Sequence, residues 1–374
     1  MNVCLKDIPS FLCWLDEQSF QYAVLWSHAE KGASPRPRGQ ADLFLLVEDR
    51  AVEPITRRCR WTPPLLGRSC EVYSVGAGHG ADFVGQAFLP EPLGRAVLQN
   101  RVRPGGAHAV ADDRDLYFVL LYHVAYHLAE KSGNTAQDSA SFRASAWCDL
   151  LRPVGERLGR AYDLSLLDMH HALTARGYGI DPHRLAVYLQ SHFKRRFKSR
   201  FYALLIATEQ AGEINLFVLR AHVVRHGFRQ YLLDEIAKHY TVLAVKDIPW
   251  LTRATKARYM RGNKWRWGGW PVVAVVVFDP APQWRPSEER SKGYIDVFNR
   301  RQFFKRELRE RIIREGGLHH KQNAMHTTDN EAEAIGHLDL FFSPEEEQAL
   351  YARATALRAA LREKNTPGPF DPSR

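Results

Sequence analysis

The run "PVVAVVVF", Pro271–Phe278, constrains this chain more than any other stretch of it. Its β-branched side chains favour extended backbone, and its unbroken apolar character leaves no face for water, so it predicts a buried strand. A bilayer-spanning helix needs about 20 apolar residues. No segment of this sequence approaches that length, which argues against a transmembrane segment. The opening "MNVCLKDIPSFLCWLDEQ" carries Asp7 and Asp16 and has no basic region ahead of an apolar core, so it does not read as a secretory leader. The cysteines (Cys4, Cys13, Cys59, Cys70, Cys148) are odd in number and form no CxxC, which argues against a disulfide framework or a metal cluster and suits a reducing cytoplasm.

A length of 374 residues with 45% apolar composition allows two or three domains, each with its own core. The expected class is α/β or α+β. In residues 1–134, "IPSFLCWLDEQ" predicts a helix with Ser10 as a candidate cap, while "QYAVLW", "ADLFLLV" and "CEVYSV" predict strands. "DRDLYFVLLYHVAYHLAEKSG" predicts a long helix with an acidic start, and "RVRPGGAHAV" a turn between short strands. The polar stretch Glu130–Ser141 reads as a linker. Residues 135–200 read as a helical connector that includes a helix starting at Asp181-Pro182 and ending in the basic "HFKRRFKSR". In residues 201–354, "FYALLIA", "TVLAVKDI" and "PVVAVVVF" predict strands and "QYLLDEIAKHY" an amphipathic helix. "NRRQFFKRELRERIIREG" predicts a basic helix. The last long helix is capped by Ser343, with Pro344 in its first turn. Residues 355–374 form the end of that helix and a tail, "NTPGPFDPSR", of disordered composition.

The formal net charge is +10, and it is localised: Trp250–Lys321 holds 17 Lys/Arg against 7 Asp/Glu, leaving 35 against 35 elsewhere. A basic segment of this kind suits an anionic partner such as nucleotide phosphate, nucleic acid or an acidic surface, or else a solvated face. Nucleic acid ranks below nucleotide because no nucleic-acid-binding motif is present.

Four segments of residues 201–354 share a pattern. "GFRQYLLDEIAKHYTVLAVK" precedes "ARYM" and "PVVAVVVFD", and "NAMHTTDNEAEAIGHLDLFFSPEE" follows the basic helix. Together they resemble nucleoside diphosphate kinases, whose fold is ferredoxin-like. The last segment is similar to the family's N-x-x-H-G-S-D-S motif and the WF-x-PEE that follows it, with ungapped spacing from His326 to the PEE triplet. The resemblance implies ATP or another nucleoside triphosphate, with Mg²⁺. It implies His326 as the phosphate-carrying nucleophile, Asn323 at the sugar, Thr328 bonded to the histidine or phosphate, and Asp329 near the metal. A neutral imidazole attacks the γ-phosphate while cations neutralise the triphosphate. Arg301, Lys305 and Arg309, at i, i+4 and i+8 of the basic helix, are the candidate cations. Tyr259 lies in the family-like "ARYM", and Trp265, Trp267 and Trp270 are candidates to stack on base or sugar.

The sequence also departs from that family. The segment "FYALLIATEQAGE", expected as the first strand, has no lysine where the family runs into Lys-Pro-Asp-Gly, and Arg220 or Arg225 is the candidate substitute. Thr327 replaces the glycine after the histidine, and His337 replaces an orienting glutamate, for which Glu333, one turn earlier, is the candidate stand-in. Three readings of His326 therefore stay open: a phosphohistidine, a part of a nucleotide site without a covalent intermediate, and a structural residue.

"QYAVLW…GQADLFLLVED" resembles, more weakly, the nucleotidyltransferase (polymerase-β-like) fold. Its Mg²⁺-binding Asp-x-Asp is reduced here to Asp42, which implies a degenerate domain that binds a ligand or docks the partner domain. His123 and His127, at i and i+4, have metal-binding spacing but read as packing residues. The extra N-terminal domain suggests an acceptor other than a free nucleoside diphosphate, with a saccharide or polyol phosphate as a fold-level analogy. The expected function is a nucleotide-dependent phosphotransferase. The alternatives are a non-catalytic nucleotide-binding scaffold and a basic nucleic-acid binder.

Overall fold

Two four-stranded sheets, each with its own helices, divide the chain into a first unit, Met1–Asp181, and a second, Pro182–Arg374. The computed structural model describes residues 1–27, 41–59, 68–77, 80–83, 86–180, 185, 200–209, 211–260, 268–294, 296–317 and 323–365.

In the first unit β1 (Asn2–Leu5), β2 (Tyr22–Ser27), β3 (Leu43–Val47) and β4 (Arg68–Ser74) form a sheet in the order β1-β4-β3-β2. β3 is antiparallel to β2 and parallel to β4. A parallel neighbour needs a crossover, and helix α2 (Val52–Cys59) lies within it. Helix α1 (Ile8–Glu17) is capped by Asp7, whose carboxylate accepts from Ser10 N at 2.8 Å, so Ser10 sits inside the first turn rather than at the cap. Alternate strand residues, Tyr22, Val24, Leu43, Leu45, Val47, Cys70 and Val72, share one core with Phe11, Leu12 and Leu15 of α1 and Val52 and Ile55 of α2. All five residues of β3 are buried, so its second face is covered as well.

Helices α3 (Glu91–Asn100) and α4 (Asp113–Tyr122) follow, and α4 continues as a π-turn, His123–Leu128. The expected turn at "RVRPGGAHAV" is present, closed by bridges from Val110 to Val102 and Val24. Helices α5 (Ala146–Arg157) and α6 (Leu166–Thr174) both pack on α4, and Arg157 clamps Asp113 through two 2.6 Å bonds. The stretch Glu130–Ser141, expected as a linker, is tied into this unit: Asn134 is 1% exposed and donates to Leu164 O at 2.8 Å. Residues 135–180 thus join the first unit rather than forming a separate connector, because α4 offers an apolar flank for α5 and α6 to bury. Most of "DPHRLAVYLQSHFKRRFKSR" and of the C-terminal tail lies outside the described residues.

The second unit corrects one strand expected from sequence. "FYALLIA" belongs to helix α7 (Arg200–Glu209), and the first strand is β5 (Glu213–Arg220), entered through Gly212 at φ +76°. After it come α8 (Ala221–Arg225), α9 (Arg229–His239), β6 (Thr241–Asp247), α10 (Arg253–Tyr259), β7 (Pro271–Asp279), α11 (Ser287–Ser291) and α12 (Phe304–Glu315). β8 (Met325–Thr327), α13 (Glu331–Leu338) and α14 (Pro344–Asn365) end the unit. The sheet is antiparallel throughout, in the order β6-β7-β5-β8. β5 and β7 are the inner strands and are buried along their whole length, as the valine run requires. One face of the sheet packs Phe217, Leu219, Val273, Val275 and Val277 against Leu232 and Ile236 of α9 and Leu308 and Ile312 of α12. α13 lies against β5. Among the described residues no helix is long and apolar enough to cross a membrane.

Candidate functional site

His326 enters the second unit at an edge. Among the described residues β8 pairs only with β5, placing His326 opposite Val218. Phe217, Leu219 and Met325 belong to the core shared with α9 and α12, so alternation turns Val218 and His326 to the opposite face, the one under α13. Ala324 O and Thr328 N bond toward β5, to Arg220 N at 3.1 Å and Leu216 O at 3.1 Å. The carbonyl of Met325 points away from β5, to the open edge of the sheet.

Cations gather along that edge. Arg309 of α12 donates to Met325 O through Nε at 3.1 Å and Nη2 at 2.5 Å. Lys305, one turn earlier, is 9% exposed and pairs with Asp329 at 2.8 Å. Arg220 ends β5 and is 3% exposed. Burial, with Arg309 adding repulsion, pushes the Arg220 guanidinium down to about 10. Burial likewise holds Arg309 down to about 10, against the pull of Asp329, and lowers Lys305. Both guanidiniums remain charged near neutral pH. Two guanidiniums close enough to repel, in a weakly solvated place, constitute an electrostatic environment that an anion relieves.

The main chain permits this crowding at one glycine. A Cβ on Gly268 would stand 2.3 Å from Asn323 O and 2.6 Å from Arg220 Cδ, so only glycine lets the segment before β7 lie against the motif. Ala221 N then bonds Trp270 O at 2.9 Å, joining the start of α8 to the same place.

The other expected residues separate clearly. Asn323 lies beside β8, its side-chain oxygen 3.4 Å from Met325 N. Arg301 does not share the face of Lys305 and Arg309, because α12 begins only at Phe304 and Arg301 sits in a preceding 3₁₀ turn. It pairs instead with buried Asp279 at 2.8 Å and donates to the carbonyls of Ala281 and His239, so its role is to hold the fold. Thr328 is fully buried, and its hydroxyl accepts from Leu216 N at 3.0 Å, which places that oxygen in the sheet. Arg225 is exposed at the end of α8 and bonds Ala221 O at 3.3 Å. Tyr259 ends α10, but its side chain, like Trp265 and Trp267 as a whole, lies outside the described residues.

Glu333 and His337, expected only as orienting positions for His326, form a tighter grouping with it. His326, Glu333 and His337 offer ligand atoms that all lie within 4.8 Å of one another. Glu333 and His337 share a face of α13 at i and i+4, the spacing considered for His123 and His127. Those two histidines are buried, with Nδ1 atoms 3.1 Å apart and rings packed among Trp26, Phe88 and Trp147. Their surroundings are those of packing residues.

In the first unit Asp42 accepts from Ser69 N at 2.9 Å and lies 3.6 Å from Arg68, so it links the starts of β3 and β4. A cavity of about 530 Å³ near these strand starts is lined by Lys6, Asp16, Arg68 and His108 among others.

No family model matches this sequence, and no curated protein matches it.

Proposed function

We propose that the second unit is a ferredoxin-like, nucleoside-diphosphate-kinase-like domain that binds the phosphates of ATP or another nucleoside triphosphate and transfers a phosphoryl group, with His326 as the carrier. The observation that carries this reading is Arg220. With β5 as the first strand, Arg220 stands where that strand ends, the place at which the resembling family has its lysine, and it faces Arg309. Two further features support the reading: the strand order with helices α9 and α12 as the two crossovers, and His326 on the strand flanked by Arg220 and Arg309. The guanidiniums would neutralise the charge that develops on the transferred group. Asp329 is engaged by Lys305, so this donor set suits an anion better than a bare cation, and Mg²⁺ enters this reading on the nucleotide's phosphates. In the first unit Asp42 is a structural carboxylate, which favours the degenerate reading of the nucleotidyltransferase-like domain.

The commitment of the Thr328 hydroxyl to Leu216 N–H favours a second reading, nucleotide binding without a phosphohistidine. Incubation with γ-labelled ATP separates the two. An acid-labile, base-stable label that is absent from His326→Ala supports the carrier. Calorimetric binding of ATP with no label leaves the binding site alone. Neither label nor binding refutes both.

A further inference from the structure

We infer that His326, Glu333 and His337 form a binding site for a divalent transition metal of the zinc class. The inference does not require the nucleotide reading, although both use His326, and it concerns the face of β8 under α13 rather than its cationic edge.

Three observations converge. The ligand set is two imidazoles and one carboxylate, which suits zinc better than it suits Mg²⁺ or Ca²⁺, whose ligands are oxygens. The ligand atoms lie within 4.8 Å of one another. In tetrahedral zinc, with bonds of about 2.0–2.1 Å, ligand atoms stand about 3.3 Å apart. Side-chain rotations that draw the atoms inward by about 1.5 Å would therefore close the set. Finally, the donors come from rigid and partly buried places. His326 is fixed by its pairing with Val218, and Glu333 and His337 are 6% and 8% exposed.

The surroundings of Glu333 add to this. One carboxylate oxygen accepts from Asp329 N at 2.6 Å, and Glu333 N donates to Asn330 Oδ1 at 2.9 Å as α13 starts. The first bond orients the carboxylate and the second fixes the backbone that carries it, as outer partners position metal ligands. The rings of His326 and His337 stand 6.1 Å apart between centroids and are tilted at 58°, so they converge without stacking. Three protein ligands leave zinc an open fourth position, the arrangement of sites that bind water or a substrate group.

The test is calorimetric titration of the full chain with Zn²⁺ alone, repeated for His326→Ala, Glu333→Gln and His337→Ala, with thermal melts to show that each variant folds. The wild-type chain is expected to bind at least one equivalent. Each variant should lose one equivalent or weaken it at least about 10-fold, a loss on the scale that metal-site substitutions produce. If an alanine variant does not fold, His337→Gln replaces it, since the amide keeps the volume and is a poor zinc ligand. Absorption of the Co²⁺-loaded chain provides a second readout: a tetrahedral visible band present in the wild type and absent from His326→Ala supports the assignment. A stoichiometry and affinity unchanged in all variants would place the metal elsewhere and overturn it, as would no binding to the wild type.

Discussion

Among single residues, Arg220 and Lys305 make different predictions because they stand in different electrostatic company. Arg220 is buried beside Arg309, so its removal relieves repulsion while removing a cation from the proposed phosphate site. Arg220→Ala is expected to weaken ATP binding by about 10-fold or more, the scale of one charged hydrogen bond, while Arg225→Ala, at an exposed helix end, leaves it within error. Equal loss in the two variants, measured by calorimetry, would detach Arg220 from the site. Lys305 and Asp329 are a nearly buried pair, with side chains 11% and 17% exposed. Removing one member strands the other, which costs about 3 kcal/mol or more for such pairs. Asp329→Asn should therefore lower the urea midpoint of the second unit markedly, and adding Lys305→Met should recover most of the loss. If the double variant is no more stable than the single, the pair is not the source of the effect.

For whole elements, the sequence and the structure agree where side-chain pattern and environment coincide and part where buried polar groups intervene. The valine run of β7, helix α9 and the capped α14 were legible because their apolar spacing matches their burial. For α14, Ser343 Oγ accepts from Glu346 N at 3.3 Å while Ser343 N donates back to the Glu346 carboxylate at 2.7 Å. β5 was not legible. Its sequence, EINLFVLR, begins with Glu213 and Asn215, which are buried and bonded to each other at 3.0 Å, with Asn299 reaching Glu213 at 2.8 Å. Polar residues at inner positions hide a strand, while the apolar "FYALLIA" upstream fits a buried helix segment as well as a strand. The same polar partners lie far along the chain, so local pattern could not announce them. His326 was legible through its motif, and the resemblance set Glu333 and His337 beside it as orienting positions; that all three offer ligand atoms to one point was not legible, because it depends on how α13 meets β8. The turn into β5 yields a prediction on this scale. Gly212 has φ +76°, and an added Cβ would stand 2.1 Å from the Phe278 ring. Gly212→Ala combines left-handed strain with a core clash, so a loss of about 2–4 kcal/mol is expected. A denaturation midpoint equal to wild type would refute the close approach.

On the scale of the whole molecule, part of the basic content between Trp250 and Lys321 is paired with carboxylates. Arg285 and Arg300 meet Glu289, Arg301 meets Asp279, Lys305 meets Asp329 and Arg311 meets Glu235. These pairs leave less free charge for a nucleic-acid backbone than composition implies. The Arg301–Asp279 pair borders a cluster of buried acids at the start of β5. There Glu213 is pushed up to about 7, by burial first, against the bonds from Asn215 and Asn299 and with Glu331 and Asp279 adding repulsion. On the surface of α14, burial and Asp339 likewise push Glu347 up to about 7. A carboxyl raised on folding takes up a proton between its ordinary value of 4.5 and its folded value. Its contribution to stability is complete below the lower of these and is lost as pH rises through about 7. The second unit should therefore be more stable near about pH 5 than near about pH 8, by at most a few kcal/mol, with a slope of up to about 1.4 kcal/mol per pH unit from each group. Both groups lie in the second unit, so their effect is read from the transition assigned to it. Glu213→Gln keeps the side-chain volume and a hydrogen-bonding amide but cannot titrate, and it should flatten that transition's dependence over this range. Urea midpoints of wild type and variant across the range decide the matter: parallel curves would show that Glu213 is not the group that folding protonates.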